Sequence, residues 1–506
     1  MKKVKEFVKD NWLFLLFVIP FIFICVSNKT PDNDIWFLLN NGRYVFNHGI
    51  PYYDPFTIHE GLKYIMQQWL TSSIFWGLFN TFGYRSLLVF IYIMSFIFMF
   101  VFYKLCYVVS EKKKLSIVVT SIVFCLIYEY IVIRPQIISY LILMLEILLV
   151  ELYIKKKNTK YLYPLPVLSI LLINVHAAMW YFQFVFLFPF ILNGINYDKI
   201  KFIKKIKIDK YKLKPILIVA LIMFVVGFIN PYGIDAVTYI FKSYGLSRLN
   251  EIVGEMNPMS WDSYNGKIIF IYIILFMILN YVRKDLKLDI RHFLFICGMT
   301  LLGFMHNKCY PLFVLVVTYA LMYNVRKLDI CFDFLDNKVI KSLKRGFALG
   351  LGIALIATFG YTIYYSYNMY SFSEKYKMEN TIDYIINNYN KDDVILYVGF
   401  NTGGYAEFRG LKPYIDPRAE LFFKKFNGKE DIFVEAFSIE SDINFDFDKF
   451  VQKYDFTHII VYNFSYFKMY LDDCEDYELV FTDELPNEDE NLSLMLYVKK
   501  NLEVLE

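Results

Sequence analysis

The chain has 506 residues, 57% of them hydrophobic and 20% aromatic, with a mean hydropathy of +0.39. That leaves too little polar surface to cover a soluble protein of this size. The net charge is +4, but the basic residues sit in short clusters between apolar runs. They do not form one face of a domain, which argues against a nucleic-acid partner.

Apolar runs of about 20 residues recur along the chain, and this spacing predicts a polytopic α-helical membrane protein. The start, "MKKVKEFVKDNWLFLLFVIPFIFICVSNK", has the charge order of a signal peptide but no A-x-A-like cleavage site, so it reads as an uncleaved first span over 10–27. A long polar and aromatic loop follows, 28–85, opening on "NKTPDNDIWFLLNNGR" with Asp32, Asp34 and Trp36. Within it, 64–82 is apolar but interrupted by Gln67, Gln68, Thr71, Ser72 and Ser73. A helix lying at the membrane interface or against the bundle is expected there. Further spans are expected at 86–109, 115–133, 136–154, 161–175, 179–195, 214–230, 266–282, 291–305, 309–325 and 346–367, about eleven in all.

With eleven spans, the clusters "SEKKK", "YIKKKNTK", "YDKIKFIKKIKIDKYKLK" and "YVRKDLKLDIR" fall on the same side as the basic N-terminus. That side collects about 30 Lys and Arg and is therefore cytoplasmic, by the positive-inside rule. A further crossing at 64–82 would destroy the asymmetry. The 28–85 loop and the C-terminal region are then extracytoplasmic, in a multi-pass protein of the cell membrane.

The expected organisation is a transmembrane domain over 1–370 and a soluble α/β domain over 371–506. The latter carries 28 acidic and 14 basic side chains, so the remainder of the chain holds an excess of 18 positive charges. Candidate strands are "DVILYVG", "KPYID", "THIIVYN", "YELVFTD" and "LSLMLYVKK"; candidate helices are "MENTIDYIINNYN" and "FDFDKFVQKYD". Their alternation suggests a mostly parallel sheet. "NTGGYAEFRG" reads as a Gly-rich turn without phosphate-cradling spacing. The seven cysteines show no C-x-x-C pattern and read as isolated reduced thiols.

Chemistry-bearing residues gather in the external loops. The pair Asp32 and Asp34 could deprotonate a hydroxyl or hold a divalent cation such as Mg2+ or Mn2+. Structural roles compete: Asp32 starting a turn after Pro31, and Asp34 capping the following helix. Arg134, in "IRPQ", with His306 and Lys308, in "MHNKCYP", could hold a phosphate leaving group. Arg134 could equally be an interface anchor, and His176, in "NVHA", a satisfied polar group at a span end. Together these groups suit transfer from a lipid phosphate to an acceptor outside the cytoplasm.

The first loop resembles that of bacterial multi-pass proteins in, or close to, the GT-C class of polyprenyl-phosphate-dependent glycosyltransferases. The resemblance rests on Asp32, Asp34, Trp36, Gly42, Gly49, Asp54, Pro55, Phe56, Trp69 and Leu70. Later stretches "RPQ", "NVHA", "NPYG", "GEMNP" and "GGYAEFRGLKPYIDPRAELF" extend it, in order, over most of the chain. Gln68 departs from the pattern, where a Glu commonly precedes the Trp-Leu pair, and His306 and Lys308 stand where Arg is more usual.

The resemblance implies a GT-C-like membrane fold and an inverting glycosyltransferase. Its donor is a polyprenyl-phosphate-linked sugar, and its acceptor is an envelope glycan, lipid or protein. Asp34 is the implied base, with Asp32 as alternative base or metal ligand. Arg134, His306 and Lys308 are implied donor-phosphate ligands. Asp54, Gln68, His176 and Glu255 are further candidates for sugar or acceptor contacts. Gly403, Gly404, Asp416 and Arg418 either close over the cavity or bind acceptor, against an intradomain Asp–Arg contact and tight turn as the structural alternative. Two rival functions are a lipid-linked-glycan transporter or flippase, for which Glu129 and Glu146 are the embedded candidates, and a non-catalytic envelope assembly protein.

Overall fold

The computed structural model describes residues 12–27, 32–195, 206–207, 211–243, 254–282, 288–326, 328, 350–358, 360–361, 378–484 and 492–505. In chain order its main helices begin with α1 (Val18–Ser27), α2 (Asp34–His48), α3 (Trp69–Phe82), α4 (Tyr84–Ser110), α5 (Lys113–Leu126) and α6 (Gln136–Lys156). Next come α7 (Leu165–Val175), α8 (Phe182–Asn193), α9 (Leu213–Val226), α10 (Tyr264–Val282), α11 (Ile290–Met305) and α12 (Tyr310–Val325). The C-terminal part follows as α13 (Met378–Asn388), β1 (Ile395–Tyr397), α14 (Phe400–Phe408), β2 (Lys412–Pro413), α15 (Ile432–Ser441) and α16 (Phe447–Tyr454). It ends with β3 (His458–Tyr462), α17 (Tyr466–Asp473), β4 (Tyr477–Glu484) and β5 (Ser493–Lys499).

The chain divides into two compact units. The first is Met1–Thr30, Ser86–Ile240 and Leu246–Ile363; the second is Pro31–Arg85, Phe241–Gly245 and Tyr364–Glu506. The long first loop thus folds with the C-terminal segment, although some 300 residues separate them in sequence.

The first unit is helical. Among the described residues, α4, α6, α10 and the stretch Asn307–Val325 are long and apolar enough to cross a membrane. The stretches Leu13–Ser27, Thr159–Val175, Ala177–Asn193, Leu213–Val226 and Ile290–Met305 are apolar but shorter. The expected span 115–133 stops as a helix at Leu126, where Ile127 leaves helical geometry and a short 3-10 turn, Tyr128–Tyr130, takes over. Of the expected span 346–367, only 350–358, 360 and 361 are described. α12 is buried along its whole length. A helix apolar all round belongs inside a bundle, and α12 occupies that place here.

The second unit is α/β. Its five-stranded sheet has the order β2-β1-β3-β5-β4. β2, β1 and β3 pair in parallel, whereas β3–β5 and β5–β4 are antiparallel, so the sheet is half parallel, not mostly so. The reason is local. β4 and β5 follow one another with only eight residues between them in the sequence, fewer than the crossover that parallel pairing needs.

Against this sheet sits the first loop. Ile58 N–H donates to the Pro413 carbonyl, Lys63 N–H to the Asn427 carbonyl, and His59 Nε2 lies 2.7 Å from the Tyr414 carbonyl. α2 packs along α3, and Gly42 is what lets them approach. A Cβ there would lie 2.1 Å from the Ser72 carbonyl oxygen and 2.6 Å from Trp76 Cβ. The helix expected over 64–82 is therefore α3, and its partner is α2.

Candidate active site

The acidic pair begins α2. Asp32 Oδ1 accepts the Asp34 N–H at 3.0 Å, and the Asp32 carbonyl accepts the Ile35 N–H at 3.1 Å. Capping therefore falls to Asp32, not to Asp34, because the side chain two residues upstream can reach back to an orphan donor of the first turn. Asp34 is the first helical residue, a position where the helix dipole favours the ionised carboxylate. Behind it, Ile35 through Gly42 are all buried. The clamp on this helix start comes from α3 on one side and α14 on the other.

The α14 contact is specific. Trp36 stands edge-on to Tyr405, with centroids 5.1 Å apart, and lies 5.0 Å from the Phe408 ring. Gly404 faces Phe37: a Cβ at 404 would be 3.5 Å from the Phe37 nitrogen and 3.3 Å from Pro417 Cδ. Gly403 is tighter still, since its Cβ would fall 1.9 Å from the Ile415 carbonyl oxygen. "NTGGYAEFRG" is thus mostly helix and not the expected turn. Its glycines are needed for close packing against two backbones, a demand that composition alone does not reveal.

Arg418 anchors this arrangement. Its Nη1 donates to Asp54 at 2.6 Å, Nη2 to Glu407 at 2.8 Å and to Asp416 at 2.6 Å, and Nε to Asp416 at 2.9 Å. The guanidinium also lies over the Phe56 and Tyr64 rings, at 5.0 and 4.8 Å. All four charged residues are buried. Asp54 directs its other oxygen to the Thr57 N–H and hydroxyl. Both carboxylate oxygens of Asp54, a candidate for sugar or acceptor contact, are thereby engaged within the protein. The expected Asp416–Arg418 contact is present but belongs to a larger cluster, whose Glu407 was not singled out from sequence. Burial raises the Glu407 carboxyl well above its ordinary value; Asp416 and Asp54 push the same way, and Arg418 opposes them. Gln68 precedes α3, and its carbonyl accepts the Ser72 N–H.

In the first unit a separate set of loops meets at one end of the helices. Arg134 Nη1 lies 3.5 Å from Glu255 Oε1, a long and partly exposed ion pair that is worth little in energy. His306 Nδ1 is 2.9 Å from the Met256 carbonyl. A carbonyl only accepts, so Nδ1 carries the proton. Asn307 N–H donates to the Asn257 carbonyl, and Met259 N–H to that of Phe304, which zips the two loops together. His176 Nδ1 is 3.0 Å from the Ser139 hydroxyl, which itself donates to the Pro135 carbonyl. Burial and the neighbouring Lys308 lower the His176 pKa to about 3, so its ring is neutral at physiological pH. In "NPYG", Gly233 takes φ +52°, and Asn230 Oδ1 accepts the Tyr232 N–H, closing the turn. Arg134, His176, Glu255, His306 and Lys308 thus belong to one connected loop cluster. It brings the Arg134 and Lys308 side chains to the same loops as the Glu255 carboxylate.

Sequence reading missed a second cluster in this unit. Arg291 is buried and bonds Glu151 through Nε at 3.1 Å, Tyr319 donates its hydroxyl to Glu151, and His292 Nδ1 meets Asp289 at 3.0 Å. Basic residues in short inner loops look like orientation signals; the buried Glu151 in α6 was the available hint. Glu146, embedded mid-helix in α6, is buried, and among the described residues neither of its carboxylate oxygens finds a hydrogen-bond partner.

Among the described residues no group of three or more His, Cys, Asp and Glu side chains is close enough to hold a metal. Asp32 and Asp34 offer two carboxylates, a number that suits a hard cation only when phosphate and water complete its shell.

No protein-family model and no curated protein matches the chain. Two solved structures of the Archaeoglobus fulgidus oligosaccharyltransferase do match in shape. The form tethered by a disulfide to an acceptor peptide containing the NVT sequon gives a TM-score of 0.52, over 90% of this chain and 70% of that one. The apo form gives 0.53, over 89% and 70%. Identity is 12% in both. The fold is GT-C-like. At this identity the likeness extends to the architecture of a helical membrane protein carrying a C-terminal sheet domain.

Proposed function

We propose that the protein is a membrane glycosyltransferase that moves a sugar from a polyprenyl-phosphate donor to an acceptor hydroxyl on the extracytoplasmic side. The observation that carries this reading is the start of α2: a carboxylate, Asp34, on the first turn of a buried helix, with capping handled by Asp32. The GT-C-like fold supports it.

In the proposed reaction the Asp34 carboxylate takes the acceptor proton as the acceptor oxygen attacks the anomeric carbon. The bond from that carbon to the phosphate oxygen breaks, its electron pair leaves with polyprenyl phosphate, and the configuration inverts. Arg134, His306 and Lys308 are assigned to the departing phosphate, where cationic donors stabilise developing charge. His176, Gln68 and Glu255 are assigned to sugar or acceptor contacts. A divalent ion, when bound, would be held by Asp32 and Asp34 and would neutralise donor phosphate charge.

The test compares envelope glycans and lipid-linked sugars by mass spectrometry in three strains. One lacks the chain, one is restored with wild type, and one carries Asp34→Asn at matched protein level. A missing sugar and accumulated donor, corrected by wild type but not by Asp34→Asn, is the expected result. Full rescue by Asp34→Asn would remove Asp34 from the mechanism, and unchanged glycans in the strain lacking the chain would favour the transport or assembly readings.

A further inference from the structure

We infer that the C-terminal sheet domain acts as a positioning frame for the first turn of α2, with Gly404 and Arg418 as positioning residues that hold Asp34 in place. The inference rests on the assignment of Asp34 above and gives the C-terminal motif a role other than acceptor binding.

Three contacts carry it. The first turn of α2 rests on α14 through Trp36 against Tyr405 and Phe408. Gly404 brings the two backbones together at Phe37, only three residues from Asp34. α14 is pinned in turn at its far end, where Glu407 bonds Arg418, and Arg418 bonds Asp54 in the loop that follows α2. Arg43 closes the circuit. Its Nη2 bonds Asn40 at 2.5 Å and reaches the Glu407 carbonyl at 3.4 Å, and its guanidinium lies 5.3 Å from the Phe408 ring. A base must sit within a fraction of an ångström of its working position, and side chains achieve that only when their supporting shell is itself locked. Residues 404–418 supply that shell on one side of α2, with α3 on the other.

The experiment is hydrogen exchange read by mass spectrometry on the full-length protein in detergent, for Gly404→Ala, Gly404→Val and Arg418→Lys, alongside the glycan assay in cells. A methyl at 404 meets Pro417 and Phe37 at ordinary to tight distance; the larger valine must push α2 away. The expected result is exchange in the 35–40 peptide about fivefold faster or more in Gly404→Val, less in Gly404→Ala, with the β3 peptide 458–462 unchanged. Glycan rescue should fall in the same order. If Gly404→Val fails to fold, Gly404→Ala and Arg418→Lys decide the matter. Unchanged exchange at 35–40 in these variants overturns the inference, as does full glycan rescue despite faster exchange. Exchange accelerated equally at 458–462 also overturns it, because the motif would then only hold the domain together. Failure of the Asp34 assignment is read separately, as full rescue by Asp34→Asn with wild-type exchange at 35–40.

Discussion

Replacing Arg418 with Met keeps most of the side chain's length and removes its charge. The guanidinium makes four hydrogen bonds to three buried carboxyl groups, two of them at 2.6 Å. Burial already raises the Glu407 carboxyl well above its ordinary value, and removing the guanidinium strands the carboxylates of Asp54 and Asp416, which are 7% and 0% exposed. Breaking a buried pair by deleting one partner costs about 3–5 kcal/mol, chiefly because the remaining charge has no compensation. For a unit of about 200 residues each kcal/mol moves the midpoint by about 2–4 °C, so a fall of about 6–20 °C is expected. Three of the six tryptophans, Trp36, Trp69 and Trp76, lie in this unit, and its unfolding is read as the change in intrinsic fluorescence that shifts between wild type and variant on heating the purified protein. Adding Asp54→Asn to Arg418→Met should recover part of the loss, since it removes one stranded charge and the two changes share a partner. A single mutant within about 1 kcal/mol of wild type would refute the view that this cluster joins loop and domain. So would strict additivity in the double mutant.

Gly42→Ala should lower the same midpoint by an amount worth about 1–3 kcal/mol, because the added methyl meets the Ser72 carbonyl, a backbone atom that cannot turn aside. An unaltered melt would contradict the close α2–α3 crossing. Glu407→Gln keeps an oxygen for the Arg418 bond and removes a titration. The Glu407 carboxyl is raised above its ordinary value of 4.5, so the folded state binds its proton more tightly than the unfolded chain. Its contribution is fully present below pH 4.5 and is lost as pH rises through the raised value. Denaturant melts across that range should therefore show a flatter decline for Glu407→Gln than for wild type; identical slopes would mean that Glu407 does not titrate as described.

Hydropathy alone determines that this is a helical membrane protein. Apolar runs of about 20 residues are poorly solvated by water, and within a bilayer a single segment of that length satisfies its own backbone only as a helix, barrels using shorter alternating strands. The five described C-terminal strands each fall, to within one residue, inside a stretch expected to be a strand, and two helices fall within "MENTIDYIINNYN" and "FDFDKFVQKYD", whereas α14, α15 and α17 were not expected. The carboxylate pair announced itself by standing next to an apolar run. Local sequence could not show that "DPFT" and "DPRA" meet, since Asp54 and Arg418 lie 364 positions apart. Nor could it show that "GGYAEF" is a helix, for glycine lowers helix propensity and only the approach of Phe37 and Ile415 explains its use there. Which of Asp32 and Asp34 caps α2 was likewise open until backbone geometry placed the Asp34 N–H against Asp32 Oδ1. Composition and periodicity report how each segment meets solvent or lipid. Which segments meet one another is decided by packing and by the pairing of buried charge, and both exist only once the chain has folded.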